Sequence, residues 1–351
     1  MSEICEKMLK NLLQWSFISD KIQKESEICD RIKGRKVETM RKEAKETRNV
    51  NIAHVEGYHC GDYEKYLVFA SDRPLEADSN YHLLSDGSLM PIIGIEWETQ
   101  NWGITNQTIY ANVLRDIVFK NFHKDMWKIE RDGSLSYGCD SSAECISQPM
   151  TKAYIRNHYR DFKAMWTYAE EFGISCDETG DCGMHTHISN TCFGREKKTQ
   201  DEAIKKFIYI VNTHYDLMLK ALHRRPDRHG STHYFGRMDI SGIKDWDLSE
   251  AYDDHNVCIN MGHYDDGNIE LRLVGGQKNF PCFRNTMETI FHLIEVSKRI
   301  SWADCDDIVK VFSGCNNYVY DRLATYVYEA NLISSNQLVA IKETVIEKEF
   351  I

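Results

Sequence analysis

Three short segments of the chain alternate apolar residues with acids, histidines or arginine. They read Ile-Gly-Ile-Glu-Trp-Glu at residues 93–98, Met-His-Thr-His-Ile-Ser at 184–189 and Asn-Ile-Glu-Leu-Arg-Leu at 268–273. Because successive side chains of a β-strand point to opposite faces, each segment predicts a strand with one apolar face and one ionisable face. An ordinary one-sided sheet carries mixed polar residues on its outer face. Acids and histidines on three separate strands favour a functional surface over a merely solvent-exposed one.

The ionisable faces of these predicted strands are rich in carboxylates. Their members are Glu96, Glu98, His185, His187, Glu270 and Arg272. Converging carboxylates are costly unless a positive charge lies among them, and oxygen ligands suit Mg²⁺ or Mn²⁺. The pattern therefore predicts a divalent-cation site on one face of a sheet, to which we add Glu144 as a further acid.

Composition is that of a globular protein without disulfides. The chain has 351 residues, of which 42% are hydrophobic and 28% are charged, as in ordinary soluble domains. Its net charge of −11 disfavours nucleic acid or an anionic membrane as a partner. No stretch approaches the roughly 18 apolar residues of a membrane span, and the acidic start lacks the apolar run of a signal peptide. Twelve cysteines without a CxxC pair indicate a reducing, cytoplasmic location.

The sequence pattern predicts an α+β fold in four parts. Residues 1–50 have helical spacing, and residues 51–90 read as a small β-rich lead-in. Residues 91–300 form the main domain, and residues 301–351 form a C-terminal helical segment. The helical ends are the candidate surfaces for oligomerisation.

Within the main domain, predicted helices alternate with predicted strands. The helices cover residues 106–123, 153–172 and 199–223. Gly173 is expected to stop the second helix, and Thr199 with Glu202 forms a capping box at the start of the third. A further strand is expected at residues 257–261.

A basic segment follows the third predicted helix. It reads Arg-Arg-Pro-Asp-Arg-His-Gly-Ser at residues 224–231. This segment, with its Arg225, and Arg237 further along are candidates for a flap that closes over phosphates. A solvated basic loop is the alternative interpretation.

Five motifs occur in an order that resembles a known family. They are Gly94-Ile95-Glu96-Trp97-Glu98, Asp132-Gly133-Ser134-Leu135, Glu144-Cys145-Ile146-Ser147-Gln148-Pro149, Cys182-Gly183-Met184-His185-Thr186-His187-Ile188-Ser189 and Ile269-Glu270-Leu271-Arg272. In this order, over residues 92–300, they resemble the amidoligase family, which are predicted carboxylate–amine ligases of the glutamine synthetase and glutamate–cysteine ligase superfamily. The chain departs from the family at Cys258, where an aromatic residue is common, and at Leu271, where phenylalanine is commoner.

The resemblance implies a fold and a set of residue roles. The fold is a mainly antiparallel sheet with the active site on its concave face and helices on the other face, as in the catalytic domains of glutamine synthetase and guanidino kinases. The implied ligands of two Mg²⁺ ions, with Mn²⁺ as the alternative, are Glu96, Glu98, Glu144, His185 and Glu270. The implied catalytic residues are Glu98, His187 and Arg272. Contacts to ATP are expected from Asn260 and Arg272, joined by Arg225 and Arg237.

The function that this resemblance implies is ATP- and Mg²⁺-dependent ligation. A carboxylate does not react with an amine at neutral pH, and ATP activates it as an acyl phosphate in a site rich in positive charge. The expected partners are a carboxylate, on a small molecule, peptide or protein, and an amine.

Three other functions remain open at the level of sequence. A phosphotransferase of the same superfamily would also use ATP, acids and an arginine, although the His-Thr-His strand favours a ligase. A metal-dependent amidohydrolase would also use a His-x-His strand, but it needs further histidine and aspartate ligands on later strands. A scaffold without activity would use the helical ends to bind a partner.

Overall fold

The three segments with alternating charge lie side by side in one sheet of the computed structural model. The structure describes residues 91–101, 103–104, 106–122, 126–130, 135, 141–176, 182–225, 234–250 and 254–346. The helical extension predicted for residues 1–50 and the β-rich lead-in predicted for 51–90 lie outside these residues, as does the end of the C-terminal segment.

Eight strands of the described residues form a single sheet. Their bounds are β1 Ile92–Asn101, β2 Trp127–Glu130, β3 Ser141–Ser147, β4 Met150–Thr151, β5 Ile174–Ser175, β6 Met184–Ser189, β7 Ile259–Asn260 and β8 Asn268–Leu271. The order across the sheet is β2-β3-β1-β6-β8-β7, while β4 and β5 pair with the two ends of β1. All of these pairings are antiparallel. With the helices below, the predicted α+β class and antiparallel sheet are confirmed.

Helices make up much of the rest of the described chain. Their bounds are α1 Gln107–Val113, α2 Lys152–Asn157, α3 Tyr159–Glu171, α4 Lys197–Thr213, α5 Tyr215–Ala221, α6 Phe280–Arg299, α7 Ile308–Phe312, α8 Asn317–Arg322 and α9 Ser335–Lys342. Both α1 and α8 continue into a π-helical turn, Leu114–Val118 and Leu323–Val327. Among the described residues, no helix has both the length and the apolar character that a membrane crossing requires.

Aromatic packing joins the central strand to the helices behind it. On the apolar face of β1, Ile95 and Trp97 are buried. The ring of Trp97 meets the ring of Trp166 in α3 edge-on, with 4.6 Å between centroids. Phe283 of α6 lies 5.9 Å from Trp166 and stacks on Phe162 at 4.7 Å. The apolar half of the sequence alternation therefore anchors β1 to two helices and leaves its ionisable half on the opposite face.

Two predicted helices are interrupted by a histidine. The helix predicted over 153–172 is broken at His158, between α2 and α3, and the helix predicted over 199–223 is broken at His214, between α4 and α5. The His214 ring lies with Nε2 2.9 Å from the carbonyl oxygen of Cys305. The helical spacing of apolar residues does not reveal such a tertiary hydrogen bond, because this spacing continues on both sides of the break.

The helix ends differ in how well sequence predicts them. Gly173 follows α3 with φ +63°, a left-handed conformation that favours glycine, and the predicted stop is confirmed. The predicted cap of α4 is wrong: Glu196 is the N-cap residue, and Thr199 is its partner three residues later. The helix predicted over 106–123 is also shorter, because its α-helical part ends at Val113.

The interior contains many reduced cysteines. Eight cysteines of the described residues are buried free thiols, namely Cys145, Cys176, Cys182, Cys192, Cys258, Cys282, Cys305 and Cys315. Burial raises the pKa of several of them, to about 12 for Cys192, Cys258 and Cys315. A buried thiol that stays protonated is a poor nucleophile, so these cysteines act as small apolar core residues.

Candidate metal centre

Strand register brings the ionisable residues into three rows across one face of the sheet. The rows are Glu130 with Glu144 and Glu98, then Glu96 with His185, and then His187 with Glu270 and Asn260. Residues directly opposite each other on antiparallel strands point to the same face. Acids and histidines from five strands therefore converge on one patch, which we call the acidic face.

His185 lies at the centre of three carboxylates. Its Nδ1 is 3.5 Å from Glu96 Oε2 and 3.3 Å from Glu270 Oε1, and its Nε2 is 3.6 Å from Glu98 Oε1. These separations are longer than a typical hydrogen bond of about 2.9 Å. Both ring nitrogens of His185 thus face carboxylate oxygens from neighbouring strands in a buried setting.

Glu96 and His187 form the closest acid–histidine pair. His187 Nε2 lies 2.9 Å from Glu96 Oε1, and its Nδ1 lies 3.0 Å from Asn268 Oδ1. Burial lowers the pKa of His187, but the charge and hydrogen bond of Glu96 outweigh it and raise the pKa to about 9. Burial likewise raises the pKa of Glu96, yet His187 and His185 hold it well below its usual value. Without a bound cation, Glu96 and His187 therefore form an ion pair at neutral pH.

Glu270 is held by two donors from its own hairpin. Arg272 Nη1 donates to one carboxylate oxygen, and Asn260 Nδ2 donates to the other at 3.0 Å. Burial raises the pKa of Glu270, but His185, His187 and Arg272 together lower it below its ordinary value. The carboxylate is thus charged and fixed in orientation.

Two sets of three side chains have the geometry to hold a metal ion. One consists of Glu96, His187 and Glu270, and the other consists of Glu96, Glu144 and His185. In each set, one ligand atom per residue lies within 4.8 Å of the others. Two carboxylates and one imidazole per set suit a hard or borderline divalent cation such as Mg²⁺ or Mn²⁺. Glu96 belongs to both sets, so a single carboxylate is placed to bridge two ions.

The acidic face is most open at one edge. The side chains of Glu96 and His187 are 17% and 23% exposed, compared with 3% for Glu270. His263, to which the sequence assigns no role, borders this edge, with its ring centroid 5.6 Å from that of His187. A ligand from solvent would therefore approach past Glu96, His187 and His263.

A buried ion pair at the other end of the face was not identified from sequence. Lys128 and Glu130 of β2 are both buried and form a salt bridge. Glu130 opposes Glu144 in the register. The segment Trp-Lys-Ile-Glu at 127–130 shows the same alternation as the three strands described above, so this pair had a detectable sequence signal.

Arg224 opens the basic segment predicted to close over phosphates, but the sequence did not single it out as a site residue. It is 5% exposed and follows α5, and its Nη1 donates to the carbonyl oxygens of Cys182 and Val274 at 3.3 and 3.2 Å. Its guanidinium also lies 4.2 Å from the ring centre of Phe235. Burial lowers the pKa of Arg224, while the nearby charge of Glu98 raises it. The sequence offers four arginines in and near this segment and nothing to single out this one.

The arginines predicted to contact ATP differ in their surroundings. Arg272 is buried beside Glu270, whereas Arg225 is exposed. Arg237 is also exposed and pairs with Asp216 at 2.9 Å, with its guanidinium 4.9 Å from the ring centre of Tyr215. Among the described residues, the structure brings together Glu96, Glu98, Glu144, His185, His187, Asn260, Glu270 and Arg272. Asp132 lies outside the described residues.

No protein-family model matches the chain, and no curated protein matches it either.

Proposed function

We propose that the protein is an ATP- and Mg²⁺-dependent carboxylate–amine ligase, which forms an amide or peptide-like bond through an acyl phosphate. The observation that carries the proposal is the pair of three-residue donor sets that share Glu96. Two cations held close together by a shared carboxylate suit phosphoryl transfer. The order of the five motifs, which resembles that of amidoligases, supports the same reaction class.

The proposed reaction has two steps, phosphorylation of the acid and attack by the amine. A carboxylate oxygen of the acid substrate attacks the γ-phosphorus of ATP, the bond to the β–γ bridging oxygen breaks, and ADP leaves. The amine then attacks the acyl carbon, the bond from that carbon to the phosphate oxygen breaks, and phosphate leaves with the proton that the amine loses. When bound, Mg²⁺ would screen the negative charge on the transferring phosphoryl oxygens.

The side chains would divide the work between holding cations and orienting ligands. Asn260 and Arg272 each bond one oxygen of Glu270, so they fix the direction of a cation ligand. The open edge at Glu96 and His187 gives ATP and the acid a route to the centre. The acid is a small-molecule, peptide or protein carboxylate, the second substrate is an amine, and Mn²⁺ is the alternative ion.

The proposal is tested by a screen for ADP release. Purified full-length protein with Mg²⁺ and ATP is assayed against pools of amino acids and small carboxylates, each with and without an amine pool. Release of ADP and phosphate with an amide product supports the ligase. A stable phosphorylated product would indicate the phosphotransferase. Tightly held zinc with hydrolysis in the absence of ATP would indicate the amidohydrolase, and no turnover with any pool would favour the scaffold.

ATP should stabilise the protein only when a divalent cation is present. At an ATP concentration about 100 times its Kd, ligand binding contributes about 2.7 kcal/mol, which raises the Tm of a chain of 351 residues by roughly 4 °C, because the unfolding entropy is about 2.1 cal/mol/K per residue. With EDTA the shift should be much smaller, because the acidic face repels the phosphates without a bridging cation. Thermal unfolding with ATP plus Mg²⁺, ATP plus EDTA, and Mg²⁺ alone measures this. Equal shifts in the first two conditions would contradict a metal-bridged nucleotide site.

A further inference from the structure

The basic side chains on the acidic face differ in whether they already form a salt bridge with a carboxylate. Lys128 is paired with Glu130, and Arg272 is paired with Glu270. Among the described residues of this face, Arg224 differs from these two because its guanidinium donates hydrogen bonds to the backbone carbonyl oxygens of Cys182 and Val274. The buried guanidinium of Arg224 therefore lies within the electrostatic influence of Glu98, while the hydrogen bonds that it donates go to backbone carbonyls.

The position of Arg224 is fixed from three sides. Two backbone carbonyls hold Nη1, and the Phe235 ring packs against the guanidinium at 4.2 Å. The Nε–H group is buried and has no hydrogen-bond partner among the residues that the structure describes. A buried N–H that forms no hydrogen bond is costly, so Arg224 has a donor available for an acceptor that is not part of the chain.

Gly183 provides the space in which Arg224 meets the metal ligands. A Cβ atom at this position would collide with Arg224 Nη1 and would lie 3.2 Å from both Glu98 Oε2 and His185 Nε2. The Gly183 N–H also donates to Glu98 Oε2. Gly183 therefore lies where the Arg224 guanidinium, the Glu98 carboxylate and the His185 ring come together.

From this geometry we propose that Arg224 is the oxyanion-binding residue of the centre, and that it contacts a phosphoryl or carboxylate oxygen of a ligand that is also held by the bound cation. The inference rests on the proposed function, because the anion enters only after a divalent cation has offset the carboxylates. A planar guanidinium with one open N–H suits such an oxygen. Arg272, the residue that the family resemblance favours for this contact, is already engaged by Glu270.

The competing role for Arg224 is purely structural. As a clamp, it would join the segment after α5 to Cys182, which precedes β6, and Val274, which follows β8, and it would balance the charge of Glu98. A clamp affects folding and cation affinity, but it does not change the affinity for an added anion once the cation is bound. Anion affinity in the cation-loaded protein therefore separates the two roles.

The experiment measures anion binding to the Mn²⁺-loaded full chain. Mn²⁺ binding is first established by electron paramagnetic resonance, and inorganic phosphate and acetate are then titrated separately, with paramagnetic broadening of the ³¹P and ¹³C signals as the readout. Phosphate and acetate distinguish a phosphoryl ligand from a carboxylate ligand. In wild type, at least one of them should show saturable, Mn²⁺-dependent broadening.

Arg224→Gln should weaken binding of that anion by about 10- to 100-fold, the usual cost of losing a charged hydrogen-bond donor, and should leave Mn²⁺ stoichiometry unchanged. Arg195→Gln is the comparison, because it changes an exposed arginine that has no assigned role and should leave anion affinity near wild type. Wild-type anion affinity in Arg224→Gln, or an equal loss in both variants, would overturn the assignment. Wild type that binds Mn²⁺ but neither anion would overturn it while leaving the metal centre intact. No Mn²⁺ binding would overturn the proposed function as well.

Two glycine variants provide a second test of the role of Arg224 if Arg224→Gln does not fold. Gly183→Ala should displace the guanidinium and weaken anion binding. Because the new Cβ would also lie 3.2 Å from Glu98 Oε2 and His185 Nε2, anion affinity is compared at the Mn²⁺ occupancy of wild type. Gly94→Ala is its control, because a Cβ there would make an ordinary 3.7 Å contact with His187 Cβ. Equal anion affinity in Gly183→Ala, Gly94→Ala and wild type would overturn the role of Arg224.

Discussion

Replacement of Glu96 by glutamine is expected to weaken Mn²⁺ binding at both donor sets, by about 100-fold or more at each. Glu96 is the one residue that the two sets share, and an amide oxygen is a weaker ligand than a carboxylate for a hard divalent cation. Mutation of residues that merely orient metal ligands already costs 10- to 100-fold in metal affinity, so loss of a direct ligand should cost at least the upper end of that range. Mn²⁺ titration followed by electron paramagnetic resonance gives both stoichiometry and affinity.

Single-set variants provide the controls for Glu96. Glu144→Gln should weaken one site and Glu270→Gln the other, so each should retain one Mn²⁺ ion per chain, because each residue belongs to only one set. Glu329, an exposed glutamate distant in sequence, should tolerate glutamine without any change in stoichiometry. If Glu96→Gln retains one site at wild-type affinity, the carboxylate is not shared, and the arrangement of two ions inferred from it is wrong.

The metal-free form of Glu96→Gln should also be less stable than wild type. Crowded carboxylates on three strands would lead one to expect that removal of a charge relieves repulsion. The structure indicates the opposite, because His187 and His185 hold the pKa of Glu96 well below its usual value. A lowered pKa means that the charged carboxylate is net stabilised in the fold. The Tm in EDTA should therefore fall in Glu96→Gln.

The alternation of side chains made part of this site predictable. Which residues of β1, β6 and β8 share a face follows from strand geometry, which is a local property of each segment. The row that each residue occupies depends on register with strands that lie far away in sequence. His187 opposes Glu270 across 83 positions of chain, and nothing in either segment specifies that pairing. The alternation of side chains alone therefore does not predict that Glu96 belongs to both donor sets; only the family resemblance, which implies that the first-strand acids Glu96 and Glu98 share two metal ions, pointed to a shared ligand.

Contacts made from loops and helix ends were also beyond the reach of the sequence. Arg224 is held by the backbone carbonyls of Cys182 and Val274 and by the Phe235 ring, while the adjacent Arg225 is exposed. No sequence period distinguishes two neighbouring arginines outside a regular element. The break at His214 has a similar origin, because it accompanies a hydrogen bond to the distant Cys305.

Replacement of Glu288 is expected to cause the largest loss of stability in the helices that pack behind the acidic face. Glu288 in α6 is buried and accepts hydrogen bonds from Arg156 Nε and Nη2 at 2.8 and 2.5 Å, from the Tyr159 hydroxyl at 2.5 Å and from Asn316 Nδ2 at 2.8 Å. These donors lie in α2, at the start of α3 and at the N-cap of α8. One carboxylate therefore joins four helices.

Glu288→Gln keeps the size of the side chain but places an amide N–H₂ beside the guanidinium of Arg156 and the amide N–H₂ of Asn316, which can only donate. It also leaves the guanidinium of Arg156, whose side chain is 13% exposed, without a charged partner. Removal of one member of a buried ion pair costs about 3–5 kcal/mol, and urea unfolding followed by circular dichroism should show a loss of that size. Glu295→Gln in the same helix is the matched control. Its pair with Lys298, at 2.8 Å, is partly exposed, so the change should cost under about 1 kcal/mol.

The comparison of these two variants also tests how the helices support the acidic face. Phe283 lies in the same helix as Glu288 and contacts Trp166, which in turn contacts Trp97 between the two metal-ligand candidates of β1. If this aromatic chain fixes β1, Glu288→Gln should lower Mn²⁺ affinity in proportion to its loss of stability, whereas Glu295→Gln should leave it unchanged. A Glu288 variant that unfolds with the wild-type urea midpoint would show that the four-helix clamp contributes little. A destabilised variant with wild-type Mn²⁺ affinity would show instead that the sheet holds its ligands without help from α6.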